Sequence, residues 1–254
     1  MTPPALFGPR RPVIVLGAAH GIGAAVVARL CAWEMVDEVV LVDQDAAGLE
    51  AVAAQGFPGV RLHPVIASLA DDLTDACAVL DRPGYGVVTA GVFAGGPSLT
   101  VDRESIQRVV ETDLVGAVLA ARTVAARLAE VGGGSLAVLS SIAARVPRHE
   151  QLAYSAAKAG LSQAMRVLGM EVAPLGVRVN TVAPGATDTR FIPPHLDRTT
   201  LASGDGTTYR GRIPRGSITT ADEVAQTVAV LLSPAMRHVY LHELVVDGGE
   251  SLGV

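Results

Sequence analysis

Short runs rich in Val, Ile and Leu alternate along the chain with longer segments rich in Ala and Leu. The short runs, at residues 12–17, 38–42, 60–65, 85–89, 135–140, 177–182 and 243–247, are almost continuously apolar, the pattern of strands buried on both faces. The longer segments, at 22–33, 46–54, 69–80, 102–131, 152–173 and 220–232, have helical character. Strand alternating with helix predicts a βαβ series: an α/β fold with a doubly wound, seven-stranded parallel sheet and helices on both faces. No linker or internal repeat divides the series, so residues 1–254 are expected to form a single domain. Residues 187–217 follow neither period and carry Pro193, Pro194, Gly204, Gly206 and Gly211. A loop of that length in a compact domain is usually functional, and a lid over a substrate site is expected there.

Composition narrows the classes. The chain has 254 residues, half of them apolar and 18% charged, enough for one large core and too apolar for disorder. No uncharged apolar run approaches the ~20 residues of a membrane-spanning helix, and the Pro-rich opening lacks the apolar core of a signal peptide. A soluble, cytoplasmic protein with no membrane partner is expected. The net charge of −5, with no basic cluster beyond Arg10-Arg11, argues against nucleic acid. Cys31 and Cys77 lie in apolar stretches without His or Cys at ligand spacing, so buried thiols are expected and no metal site. One count is sharper. Of 20 basic residues, only Lys158 is a lysine, so its ammonium either does what a guanidinium cannot or is a surface accident.

Three motifs carry chemistry. The first strand runs into Gly17-Ala18-Ala19-His20-Gly21-Ile22-Gly23 and straight on into a helix. Glycines there let backbone approach a pyrophosphate, and the free N–H groups of the helix start stabilise its charge. His20 is placed either to touch the bound phosphates or adenosine, or simply to be solvated. Asp43 ends the second strand about 20 residues after Gly23, the separation of a carboxylate that accepts ribose hydroxyls and repels a 2′-phosphate, which selects NAD over NADP. Tyr154 and Lys158, four apart at the start of a helix, share a face, and an ammonium beside a phenol favours phenolate. Ser141, at the end of the fifth strand, is placed to hold a substrate oxygen, with Ser140 as its competitor.

Taken together, these residues resemble a classical short-chain dehydrogenase/reductase over essentially the whole chain. The match comprises Gly17-x-x-x-Gly21-x-Gly23, Ser141 with Tyr154-x-x-x-Lys158, Pro184-Gly185 after the sixth strand and Val246-Asp247-Gly248-Gly249 near the end. The resemblance implies a Rossmann fold, Tyr154 as acid/base, Lys158 on the nicotinamide ribose and tuning the phenol, and Ser141 orienting the substrate. It implies further that Gly91 lies against the cofactor and that Thr187 or Thr189 holds the nicotinamide amide. The chain departs from the family pattern at Leu16, Val88-Thr89-Ala90-Gly91, Ala67-Ser68 and Asp113, which stands where the catalytic tetrad has Asn.

Pro147-Arg148, Pro184-Gly185-Ala186-Thr187-Asp188-Thr189, Ile213-Pro214-Arg215-Gly216 and the tail from Leu244 to Gly253 are most similar to the 2,3-dihydro-2,3-dihydroxybenzoate dehydrogenases. This implies oxidation of a ring hydroxyl of a cyclohexadiene carboxylic acid, the ketone tautomerising to a catechol, in siderophore or secondary metabolism. A small carboxylic acid needs a cation in the pocket, and Arg148 and Arg190 are the candidates. A trans-2,3-dihydro-3-hydroxyanthranilate dehydrogenase, an NAD(P)-dependent ketoacyl or polyketide reductase and a catalytically silent cofactor-binding scaffold remain alternatives. The resemblance also implies a homotetramer paired through the long helices around the fifth strand. Residues 117–121 and 156–161 there either meet a partner or face the sheet.

Overall fold

The computed structural model describes residues 7–192 and 197–252. Seven strands form one sheet: β1 (Arg11–Leu16), β2 (Val36–Asp43), β3 (Arg61–Ile66), β4 (Gly84–Val88), β5 (Gly134–Leu139), β6 (Val177–Pro184) and, last in the chain, β9 (Glu243–Val246). Their order is β3-β2-β1-β4-β5-β6-β9, and every neighbouring pair is parallel. The sheet grows outward in both directions from β1 and β4, so the strand order reverses between them. Ligands of open α/β sheets bind outside the strand ends at such a point.

Alternation within β1 builds the two cores. Val13 and Val15 point into one apolar cluster, and Ile14 and Leu16 into the other. The first is covered by α1 (Gly21–Ala32) and α8 (Ala221–Leu232), through residues such as Val26, Leu30 and Val228; α2 (Ala46–Ala53) adds Leu49 and Val52. The second is covered by α5 (Ala117–Glu130) and α6 (Leu152–Val172), through Val124, Leu128, Leu161 and Met165. Burying each such side chain contributes roughly 1.5–3 kcal/mol, which is why nearly all-apolar strands settle between two helical layers. Pro64 lies in β3, an edge of the sheet, where a missing N–H leaves no ladder bond unpaired. Cys31 and Cys77 are free and buried, and burial pushes their thiols up to about 12 and about 11.

Two predicted helices differ. Of residues 69–80 only a single turn forms, α3 (Thr74–Cys77). Upstream, Asp71 Oδ2 accepts from Ser68 N at 2.7 Å, Ser68 Oγ from Ala70 N at 3.2 Å and Asp72 Oδ1 from Thr74 N at 2.9 Å. These local bonds offer the backbone an alternative to helix. The span 102–131 is helical but not uniform. The helix α4 (Arg103–Val110), capped by Asp102, passes through a π-helical turn (Glu111–Gly116) into α5.

The stretch 187–217 has more structure than its sequence suggests. Parallel β7 (Thr187–Asp188) and β8 (Thr219–Thr220) bracket it, and α7 (Arg198–Ser203) lies between them. Pro193 and Pro194 lie outside the described residues. Among the described residues no helix is long and apolar enough to cross a membrane. Ala117, Ala120, Ala121, Ala157 and Leu161 face inward, while Leu119 is partly exposed.

Candidate active site

A cavity of about 910 Å³ opens at the β1/β4 reversal. Its floor is the turn after β1. Gly17 has φ +91°, and a Cβ on Gly23 would lie 1.9 Å from the carbonyl oxygen of Gly17, so only glycine closes this turn. Thr89 Oγ1 donates to the carbonyls of Leu16 (3.0 Å) and Gly17 (3.1 Å), tying the turn to β4. His20 sits at the N-cap of α1 without a side-chain cap bond. The first-turn N–H groups of Gly21, Ile22 and Gly23, which have no intrahelical acceptor, therefore stay available beside the cavity. Asp43 Oδ2 accepts from Ala19 N and Oδ1 from Asp45 N, each at 3.1 Å, which fixes its carboxylate at the rim. A bare glycine turn, uncapped N–H groups and a fixed carboxylate fit a dinucleotide: pyrophosphate on the turn, ribose diol on Asp43.

Deeper in the cavity stand Tyr154 and Lys158, one turn apart on α6, with Nζ 5.6 Å from the tyrosine ring centroid. Lys158 is 4% exposed, so the chain's one lysine is buried. Its Nζ donates to the carbonyl of Leu139 at 3.3 Å and lies 3.4 Å from Asp113 Oδ2. Asp113 has no exposure, and its Oδ1 accepts from Val92 N at 2.7 Å. Burial pushes its carboxyl above the ordinary carboxylate range, opposed by the Lys158 charge and the Val92 N–H. Gly91 lies against this carboxylate, where a Cβ would stand 3.2 Å from each oxygen. Phe93 packs edge-on to Tyr154, centroids 5.5 Å apart.

Both serines line the cavity, but their hydroxyls have different partners. Ser140 is buried, its hydroxyl 2.6 Å from Ser162 Oγ, which donates to Glu243 Oε1 at 2.5 Å. Ser141 turns its Oγ to accept from Ala143 N at 3.1 Å and faces the cavity.

At the far end, Arg148 is 9% exposed in its side chain, with Nη2 3.1 Å from Glu250 Oε1. Burial lowers its guanidinium pKa, opposed by the Glu250 charge. Arg210 donates to the same oxygen at 2.7 Å, and Glu250 Oε2 accepts from Ala186 N at 2.8 Å. Nothing local in the sequence marks Arg210 or Glu250; they meet Arg148 only through the fold. Arg190 lines the same cavity from the glycine-turn side, its side chain 72% exposed and 3.9 Å from Asp45 Oδ2. That oxygen is also 2.5 Å from His20 Nε2, so Arg190 and His20 converge beside the glycine turn, away from Arg148. Pro184 ends β6, and Gly185 packs on Glu250, 2.6 Å from its Oε2 were a Cβ present. Thr187 Oγ1 donates to Gly185 O at 3.0 Å, and Thr189 Cγ2 is the atom a Cβ on Gly21 would meet, at 3.3 Å. Thr189 therefore overhangs the glycine turn.

Residues 17–251 match the family described as enoyl-(acyl carrier protein) reductase. The chain belongs to the short-chain dehydrogenase/reductase family. Its relatives in this family include the vibriobactin-specific 2,3-dihydro-2,3-dihydroxybenzoate dehydrogenase of Vibrio cholerae, 28% identical over 94% of this chain and 95% of that protein. Another is cis-4-hydroxycyclohexanecarboxylate dehydrogenase of Sinomonas cyclohexanicum, 34% identical over 94% of this chain and 96% of that protein. Among solved structures, levodione reductase superposes with a TM-score of 0.86 at 25% identity, covering 97% of this chain and 99% of its own. This short-chain dehydrogenase/reductase is thus an oxidoreductase of a nicotinamide-dependent family.

Proposed function

We propose that this oxidoreductase uses NAD to oxidise a ring hydroxyl of a cyclohexadiene carboxylic acid, converting 2,3-dihydro-2,3-dihydroxybenzoate to 2,3-dihydroxybenzoate. The observation that carries this reading is the buried guanidinium of Arg148, paired with Arg210 on Glu250 and lining the same cavity as Tyr154 and Ser141. A buried cation beside an alcohol-oxidising site suits a substrate that bears a carboxylate. The names of two relatives support it, since each acts on a ring carboxylate with a hydroxyl.

In this mechanism Ser141 Oγ holds the substrate hydroxyl and Tyr154 takes its proton. Lys158 would hold the nicotinamide ribose and places its ammonium beside the phenol, Asp113 pairs with Lys158 in the position of the relay Asn, and Thr187 or Thr189 would hold the nicotinamide amide. The glycine turn and Asp43 would hold the dinucleotide by its pyrophosphate and ribose, and when bound it would supply the hydride acceptor. Loss of a proton from oxygen and a hydride from carbon leaves a ring ketone, which tautomerises to the catechol and so draws the step forward. The segment between β7 and β8 brings Arg210 onto the cavity, which supports its reading as a lid. For the homotetramer, the support is apolar surface beyond the inward alanines: Leu119 on α5, and Val167 and Met170 on α6, are exposed.

A second reading, oxidation of cis-4-hydroxycyclohexanecarboxylate, is favoured by the higher identity to that relative, 34% against 28%. The same arginines serve it. The deciding experiment measures NAD⁺ reduction with trans-2,3-dihydro-2,3-dihydroxybenzoate, its 2-amino analogue trans-2,3-dihydro-3-hydroxyanthranilate, and cis-4-hydroxycyclohexanecarboxylate, with Tyr154→Phe as blank. Turnover of the first that the blank abolishes is the expected result. Turnover of only one of the others transfers the assignment to it. No turnover of any, with intact NADH binding, overturns the proposed reaction and favours another alcohol or a silent scaffold.

A further inference from the structure

Arg148, Arg210 and Glu250 reach one point from three parts of the chain: the β5–α6 loop, the segment between α7 and β8, and the turn after β9. The Glu250 side chain is 1% exposed, Arg148 9% and Arg210 20%. Both guanidiniums address a single oxygen, Oε1, at 3.1 and 2.7 Å, while Ala186 N holds Oε2. Within this three-residue cluster two cations meet one anion, an excess of one positive charge that the carboxylate of Asp247, beyond the cluster, partly offsets. Asp247, held by the N–H groups of Gly249 and Ser251, is the further carboxylate whose charge acts on Arg148. Arg148 Nη2 is also buried without a hydrogen-bond partner among the described residues: it is close to Glu250 in distance but lacks hydrogen-bond geometry. A buried donor left unpaired is costly, and because Arg148 lines the cavity a ligand oxygen that displaces its cover and reaches this N–H would relieve that cost.

We infer that Glu250 is a specificity-determining residue, the internal counter-ion that ties Arg210 to Arg148 and leaves the pair with charge for a single carboxylate. The pocket then takes a ring monocarboxylate, with an oxygen on the unpaired Arg148 N–H. It rejects a neutral isostere, which brings no charge to the arginines, and a dicarboxylate, whose second charge meets Glu250. This rests on the carboxylate reading above and adds which charge state the site admits and which residue sets it.

The test reads binding and needs no turnover. The full chain is titrated calorimetrically with benzoate, benzamide and phthalate, with and without saturating NADH, as wild type, Glu250→Gln and Arg210→Met. Wild type is expected to bind benzoate about tenfold or more tighter than either other ligand. In Glu250→Gln, which can still accept from Ala186 N, phthalate is expected to gain about tenfold relative to benzoate with benzamide little changed. In Arg210→Met the preference for benzoate over benzamide is expected to fall by about tenfold. A merely structural role for Glu250 would weaken all three ligands by a common factor.

An unchanged benzoate-to-phthalate ratio in Glu250→Gln overturns the inference. So does benzamide binding as well as benzoate to wild type, or no benzoate binding at millimolar concentration. If Glu250→Gln fails to fold, Arg210→Met decides alone, and an unaltered benzoate preference there overturns the inference. Absent NAD⁺ reduction alongside the expected binding pattern would refute the proposed reaction and leave this inference standing.

Discussion

The ammonium of Lys158 lies 3.4 Å from a carboxylate oxygen of Asp113, with both side chains withdrawn from solvent. The π-helical turn at Glu111–Gly116 brings this about, adding a residue to the helical path so that Asp113 turns inward. Where the family pattern has an amide, this chain has an ionisable group. Asn at position 113 could keep the bond from Val92 N through its own Oδ1, so Asp113→Asn isolates the charge.

Stability should register that charge. The Asp113 carboxyl is shifted upward by burial from 3.8, so between that value and its raised folded value the unfolded state binds fewer protons than the native state. Stability then falls as pH rises through the window. Asp113→Asn has no such group, so melting wild type and variant side by side from pH 4 to 7 should show the Tm difference moving in the variant's favour as pH rises. A pH-independent difference would show that Lys158 fully offsets the burial.

Asp43→Ala should weaken NAD without a matching loss of NADP. The variant removes the carboxylate proposed to hold the ribose hydroxyls, a charge-assisted contact of about 1.5–3 kcal/mol. KM for NAD is expected to rise between about tenfold and a hundredfold, with the ratio of kcat/KM for NADP over NAD rising as well. Steady-state kinetics with each cofactor reads this directly, and an unchanged ratio would remove Asp43 from cofactor choice.

Lys158→Arg tests whether the single lysine is chemical or incidental. The site is 4% exposed and presents one carbonyl, from Leu139, and one carboxylate, from Asp113. A planar guanidinium does not substitute for an ammonium there. A loss in kcat of about 10²-fold or more is expected, with the far-ultraviolet circular dichroism unchanged.

Arg178 has no part in the site yet should matter for stability. From β6 its guanidinium donates to the carbonyls of Leu231, Leu232, Ser233, Met236 and Val239, gathering the C-terminal end of α8 and the turn beyond it. Arg178→Met would take the side-chain donor from the carbonyls of Leu231 and Leu232 and remove a cation from a helix C-terminus, while Ser233, Met236 and Val239 keep bonds from Met236 N, Val239 N and Asn180 Nδ2. The expected cost is about 2–4 kcal/mol, read as a Tm lower by about 10 °C.

What the sequence determined by itself is what acts over short range. The two cores follow from the alternation of Val13, Ile14, Val15 and Leu16. The turn after β1 follows from glycines six residues apart or closer, and the shared face of Tyr154 and Lys158 from one helical turn. Tertiary structure decided the rest. Ser141 and Ser140 are neighbours with the same chemistry; only Ser162 and Glu243, far along the chain, draw one hydroxyl away. The π-turn that buries Asp113 has no residue code, because it is a slip in hydrogen bonding between α4 and α5. Segment 69–80 has helical composition, but Ser68, Asp71 and Asp72 bind nearby backbone and cut it to one turn. Arg190 and Arg210 are alike as letters in one irregular stretch, and the folded path sends the first to Asp45 and the second to Glu250. Charges pair by distance in space, so which cation serves which carboxylate was settled only when the chain closed.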